Sequence, residues 1–259
     1  RITRLPAHRV LRDDARLGVR EIALGQPLAP GASVDFGFTV RVRHPGFTND
    51  GAPLAVNGNG TLFSIEDVFP RFGYNASLEI ADGAERRKRG LGDRQRMAAA
   101  GDQAAQRQNY LAMYGFDGGL ASFETTVSTA AGQVAMAPGD LVGSWERGGR
   151  RYFHYRLAQP ALPFFAWQSA RWDVRQVDWH GVAVKVYHDP KHAWNVGSML
   201  AGATAALDYH ARHFGPYPHK ELRILETPLY QGHARSYPMT IPFSESLGFI
   251  NDLRGGEGV

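Results

Sequence analysis

The chain has 259 residues, with 29 Lys+Arg against 25 Asp+Glu, 10 His, no cysteine and 43% hydrophobic residues. This is the composition of an ordinary globular chain with a sizeable core, and it excludes collagen, coiled coil and wholesale disorder. Without cysteine there is no disulfide framework, thiol nucleophile or thiolate metal site, and a net charge of +4 is too small to point to nucleic acid as a partner.

The first 190 residues read mostly as strands. In Ser33 to Arg43, Val34, Phe36, Phe38, Val40 and Val42 alternate with polar or small residues, the period-two pattern of a half-buried antiparallel strand. Asn57-Gly58-Asn59-Gly60-Thr61 lacks the lysine of a phosphate loop and reads as a tight turn before a strand. Residues 77–112 are expected to form a surface excursion with one or two short helices, its basic run Glu85-Arg86-Arg87-Lys88-Arg89 a solvated face. Further strands are expected at 121–128, 151–158, 163–176 and 181–188, the last carrying Val182, Val184 and Val186 in alternation.

After Pro190 the period changes. From Ala193 to Phe214, Val196, Met199, Leu200, Ala203, Leu207 and Phe214 recur at three- and four-residue steps and predict one face of a long helix, with His210 on that face. Gly215-Pro216-Tyr217-Pro218 ends it, because proline cannot continue the hydrogen-bond ladder. A strand at Leu222 to Leu225 and an extended stretch from Ala234 to Phe243 follow. The change of pattern predicts a β-rich domain at 1–180 and an incomplete α/β lobe at 181–259.

Little of the chemistry is explicit. His210 and His213 share an i, i+3 spacing, but zinc needs a third ligand and an oriented surround; a hydrogen-bonded helix histidine is the better reading of His210. No H-E-x-x-H or G-x-S-x-G occurs. The chain starts at Arg1 and ends on Gly255-Gly256-Glu257-Gly258-Val259, which reads as a piece cut from a longer protein. No apolar run approaches the ~18–20 residues of a membrane helix.

A resemblance adds to this. Tyr187-His188-Asp189-Pro190, the long helix closing on Phe214-Gly215-Pro216-Tyr217-Pro218, and the strand and glycine loop after it resemble the zinc aminopeptidases of the alanyl-aminopeptidase (gluzincin) family. Upstream, Pro30-Gly31, Asn59-Gly60-Thr61, Phe69-Pro70-Arg71-Phe72-Gly73-Tyr74 and Phe123 to Thr129 are similar to the family's N-terminal β saddle domain, as found in members fused to bacterial ABC-type permeases. The resemblance implies a mainly β fold: a twisted antiparallel saddle-like domain, then the first strand–helix–strands of a thermolysin-like α/β lobe. It also implies a soluble extracytoplasmic domain on a bacterial membrane protein.

By the same resemblance, the full-length protein would hydrolyse peptide bonds with a zinc-bound water, using ligands beyond Val259. These residues alone would hold no zinc and no catalytic group, and would be inactive. The family's exopeptidase motif G-A-M-E-N binds the substrate's α-amino group through its glutamate. The matching stretch is His233-Ala234-Arg235-Ser236-Tyr237, preceded by Gly232, with Ser236 in the glutamate's place. Gly232, His233, Ala234, Arg235 and Ser236 are therefore the implied substrate contacts, with Glu245 as an alternative carboxylate. The expected partners are a peptide, the rest of the same chain and a second copy covering the unfinished lobe. The alternative is a non-catalytic extracytoplasmic β-domain that binds protein or carbohydrate on a peptidase-like scaffold.

Overall fold

The computed structural model describes residues 1–43, 56, 60–72, 79–94, 101–103, 119–227 and 234–254. The fold is mainly β, with several antiparallel sheets and few helices. The chain divides into two compact units, Arg1–Ala52 and Pro53–Val259. Among the described residues no helix is long and apolar enough to cross a membrane.

In the first unit, β1 (Ile2–Arg4) is followed by the hairpin of β2 (His8–Asp14) and β3 (Val19–Leu24), and then by β4 (Gly37–Phe38), which pairs antiparallel with β1. The long strand expected at Ser33 to Arg43 is thus a two-residue ladder. Its alternation buries little: Val40 and Val42 are each 49% exposed, while Phe36 and Phe38 pack together with ring centroids 5.6 Å apart. A period of two creates an inner face only where a partner strand is long enough to cover it. Here the paired strand β1 spans three residues.

Among the described residues the second unit holds two three-stranded antiparallel sheets and a four-stranded mixed one. β5 (Gly60–Ser64) runs into a short helix, α1 (Ile65–Val68), whose entry is fixed by a capping box between Ser64 and Asp67. α2 (Gly83–Lys88) carries the basic run. Its Arg86 is 8% exposed, bonded to Glu79 at 2.8 Å and to the carbonyls of Ile80 and Gly92, so one arginine of the expected solvated face is an internal anchor.

Then come β6 (Glu124–Ala130), β7 (Val134–Met136), β8 (Asp140–Arg147), β9 (Arg150–Arg156) and β10 (Ala166–Ala170). The sheet orders are β6-β9-β8 and β5-β10-β7. The single strand expected at 163–176 is broken after β10, and β11 (Asp173–Trp179) starts a different sheet.

That last sheet has the order β11-β12-β13-β14, formed with β12 (Val182–His188), β13 (Glu221–Thr227) and β14 (Thr240–Ser244). β11 and β12 are an antiparallel hairpin; β12, β13 and β14 are mutually parallel neighbours. α3 (Val196–Phe214) crosses from β12 to β13, and α4 (Glu245–Gly248) follows β14 directly. The hairpin turn falls at His180 and Gly181, so the change of sequence pattern at 180 lies inside one sheet.

Parallel strands are buried on both faces. Val184, Val186, Leu222 and Ile224 pack under Val196, Leu200 and Leu207 of α3. Tyr187, Leu225 and Met239 join the other core, with Met136, Phe153, Tyr155 and Phe165. The α3 stripe steps from Leu207 to the half-buried Ala211, one position off the expected register. His210 is accordingly exposed, and Phe214 is 76% exposed rather than inward.

The two cores are tied by Arg223, whose side chain is 1% exposed. It donates to the carbonyls of Ala137 (3.1 Å) and Gly139 (2.7 Å), bonds Glu221 at 2.7 Å and lies over the Tyr155 ring. Gly139 meets this arginine in a left-handed conformation (φ +99), and a Cβ there would sit 2.5 Å from the Arg156 carbonyl carbon. Gly139→Ala should therefore lower stability by at least about 2 kcal/mol in urea denaturation.

Burial pushes the Glu221 carboxyl up, but its hydrogen bond to Lys185 and the Arg223 guanidinium outweigh that and hold it below the usual range. With the folded value below the unfolded one, the unfolded state binds more protons, and stability is lost as pH falls through the folded value. Glu221→Gln should cost about 1–2 kcal/mol at neutral pH. That gap should close on acidification below about pH 4.5, measured by denaturant midpoints across pH.

Candidate functional site

Three parallel strands deliver their carboxyl ends to one edge of the mixed sheet, the place where open α/β sheets bind ligands. β12 ends on His188, β13 on Glu226-Thr227, and β14 on Ser244, with Glu245 opening α4. After His188 the chain cannot continue as strand, because Asp189-Pro190 turns it. The Asp189 carboxylate accepts from Lys191 N–H at 2.9 Å, and His192 N–H donates to the Asp189 carbonyl at 2.9 Å. This turn carries the His192 imidazole onto the end of β13, where Nδ1 bonds the Glu226 carboxylate.

Glu226 is 3% exposed and held on every side. Its second carboxylate oxygen accepts from Asp189 N–H at 2.5 Å. Its backbone carbonyl accepts from Gln168 Nε2 at 3.1 Å and from the Trp172 indole at 3.0 Å. Glu245, 5% exposed, lies beside it, and the ligand atoms of His192, Glu226 and Glu245 are all within 4.8 Å of one another. Among the described residues Glu245 Oε1 has no hydrogen-bond partner.

Burial pushes the Glu226 carboxyl up, against the opposing pull of Asp189 N–H and His192. Burial also pushes Glu245 up, and the neighbouring negative charge of Glu226 adds to it. The arrangement can hold a proton or a cation between buried carboxylates.

The segment expected to contact substrate is divided by the structure. Gly232 and His233 lie outside the described residues. Ala234 bridges Phe243 and Tyr237 bridges Thr240, so the segment folds back on β14 as a short hairpin. Arg235 is paired with Glu66 at 3.2 Å, with its guanidinium 4.3 Å above the Phe164 ring. Ser236 lines a cleft of about 410 Å³ with Phe164, Tyr217, His219, Tyr237 and Met239. Glu245 is not among the residues lining that cleft, and belongs instead to the His192–Glu226 group.

His210 and His213 meet no third ligand among the described residues; their rings pack against Tyr209 and Phe214 on the exposed end of α3. Sequence reading missed His192 and Glu226 as partners of Glu245, because they stand 34 residues apart and only the strand register brings them together. The one available signal was the Asp-Pro turn that follows a buried strand. No family model matches the chain, and no curated protein matches it.

Glu226→Ala should cost more than about 2 kcal/mol, because it strands the Asp189 N–H and the imidazole. Glu245→Gln keeps the shape and removes a buried like charge, so at neutral pH its denaturation midpoint should equal or exceed that of the parent protein.

Proposed function

We propose that this chain is the β-rich front and the substrate-side wall of a zinc metallopeptidase of the aminopeptidase type. Supporting the reading is the position of Ser236. The residue that the resemblance aligns with the substrate-amine contact lines a largely apolar cleft formed by Phe164, Tyr217 and Tyr237, wide enough for a peptide's first side chain. Arg235, next to it, has its charge directed at Glu66 rather than into that cleft. In such a protein the ion would act as Lewis acid on a scissile carbonyl. The family's two-histidine zinc pattern does not occur in these 259 residues, and the exposed His210 and His213 do not fit it, so no step is assigned to zinc here.

A second reading, a non-catalytic binding module, is favoured by one observation. A separate cleft of about 480 Å³ is lined by Phe69, Phe72, Phe123 and Trp167, with the Phe69 and Trp167 rings stacked at 5.9 Å. Aromatic faces of this kind suit sugar rings as well as apolar side chains.

Titration calorimetry separates the two. A tripeptide with a free amino terminus should bind saturably, and Ser236→Trp should weaken it by at least about tenfold, ~1.4 kcal/mol. Cleavage of the peptide by this chain alone would overturn its reading as a wall without a reactive group of its own. Indifference to peptide, with saturable oligosaccharide binding lost in Phe72→Ala, would overturn the peptidase reading.

A further inference from the structure

We propose that His192, Glu226 and Glu245 form a binding site for one divalent first-row metal cation of the Zn²⁺ or Mn²⁺ kind. The site is distinct from the Ser236 cleft and stands whether or not the peptidase reading does.

The geometry is close to what a cation needs. Ligands at ~2.1 Å from one ion lie within ~4.2 Å of each other, and here all three ligand atoms lie within 4.8 Å. Tetrahedral ligands at that distance stand ~3.4 Å apart, so side-chain rotations that move the ligand atoms by about an ångström close the site. The second observation is the Glu245 carboxylate itself. It is 5% exposed, and its Oε1, buried beside Glu226, meets no donor among the described residues. A buried carboxylate oxygen is strongly unfavourable unless it is paired, protonated or bound to metal.

The charge balance points the same way. The charged groups acting on Glu245 are the acidic Glu226 and Asp189 and the single imidazole of His192. A divalent ion would offset that excess of negative charge, taking the place of the hydrogen bond between His192 Nδ1 and the Glu226 carboxylate.

The surround is already fixed. Asp189 N–H orients the Glu226 carboxylate, and Gln168 and Trp172 lock the Glu226 backbone. His192, with 24% of its side chain exposed, gives the ion a way in. One imidazole nitrogen with carboxylate oxygens suits the borderline first-row ions better than Ca²⁺ or Mg²⁺, which prefer all-oxygen shells.

The test is calorimetric titration of the EDTA-treated 259-residue chain with ZnCl₂, MnCl₂ and MgCl₂. One equivalent of Zn²⁺ or Mn²⁺ should bind, with Mg²⁺ weaker. His192→Ala and Glu245→Gln should each weaken binding at least about tenfold, and the double variant His210→Ala/His213→Ala should leave it unchanged. Glu245→Gln is nearly isosteric, so it carries the test, with a circular dichroism check, if His192→Ala does not fold. X-ray absorption of the zinc-loaded chain should show one imidazole with oxygen ligands and no sulfur. Absence of saturable binding, binding indifferent to Glu245→Gln, or binding lost in the double histidine variant would overturn the proposal. The peptide titration reads a different cleft, so failure of either idea leaves the other standing.

Discussion

A charge buried in the interior of a sheet has to be compensated where it lies, and β13 carries two of them. Arg223, near its start, finds backbone carbonyls from the β7–β8 turn and the Glu221 carboxylate. Glu226, near its end, finds a backbone N–H and an imidazole from the loop after β12. Desolvating either ion is worth several kcal/mol against folding, so each partner must be present with good geometry. Arg223 links the turn before β8 to the mixed sheet, and Glu226 holds the loop that leads into α3.

The compensation is unequal. Arg223 donates to three oxygens and also lies over the Tyr155 ring. Its surroundings are complete, and it reads as structure. Glu226 is also well satisfied, but it has beside it a second carboxylate, Glu245, with an oxygen that meets no donor among the described residues. A fold that needed only an anchor for the loop could have stopped at Glu226. A second acid at the end of the adjacent parallel strand is destabilising for the protein alone, and costs of this kind concentrate where something is bound.

The same sheet edge explains why the residues expected to work together do not. The 234–244 hairpin turns Ser236 toward Phe164 and Tyr237, whereas Glu245 begins the next helix at the opposite end of β14. A strand of five residues separates them. Asn195, at the start of α3, reinforces this second location. Its side chain donates to the carbonyls of Gly248 and Asn251 and accepts from Leu253 N–H, holding the segment after Glu245 against the helix.

The elements whose pattern depends on local chemistry were legible from the residues. Val182, Val184 and Val186 alternate and are buried, Gly215-Pro216 stops the helix, and the mainly β character follows from the strand-rich first part. What depended on a distant partner was not legible. The alternation from Val34 to Val42 looked like a core strand but its described ladder is the two-residue pairing with the short β1, and the stripe of α3 turns out to run to Ala211 rather than His210. Arg86 looked solvated until Glu79 closed over it. The grouping of His192, Glu226 and Glu245 was decided by tertiary structure alone: parallel pairing sets three strand ends side by side, and no spacing along the chain encodes which residues that register will bring within reach.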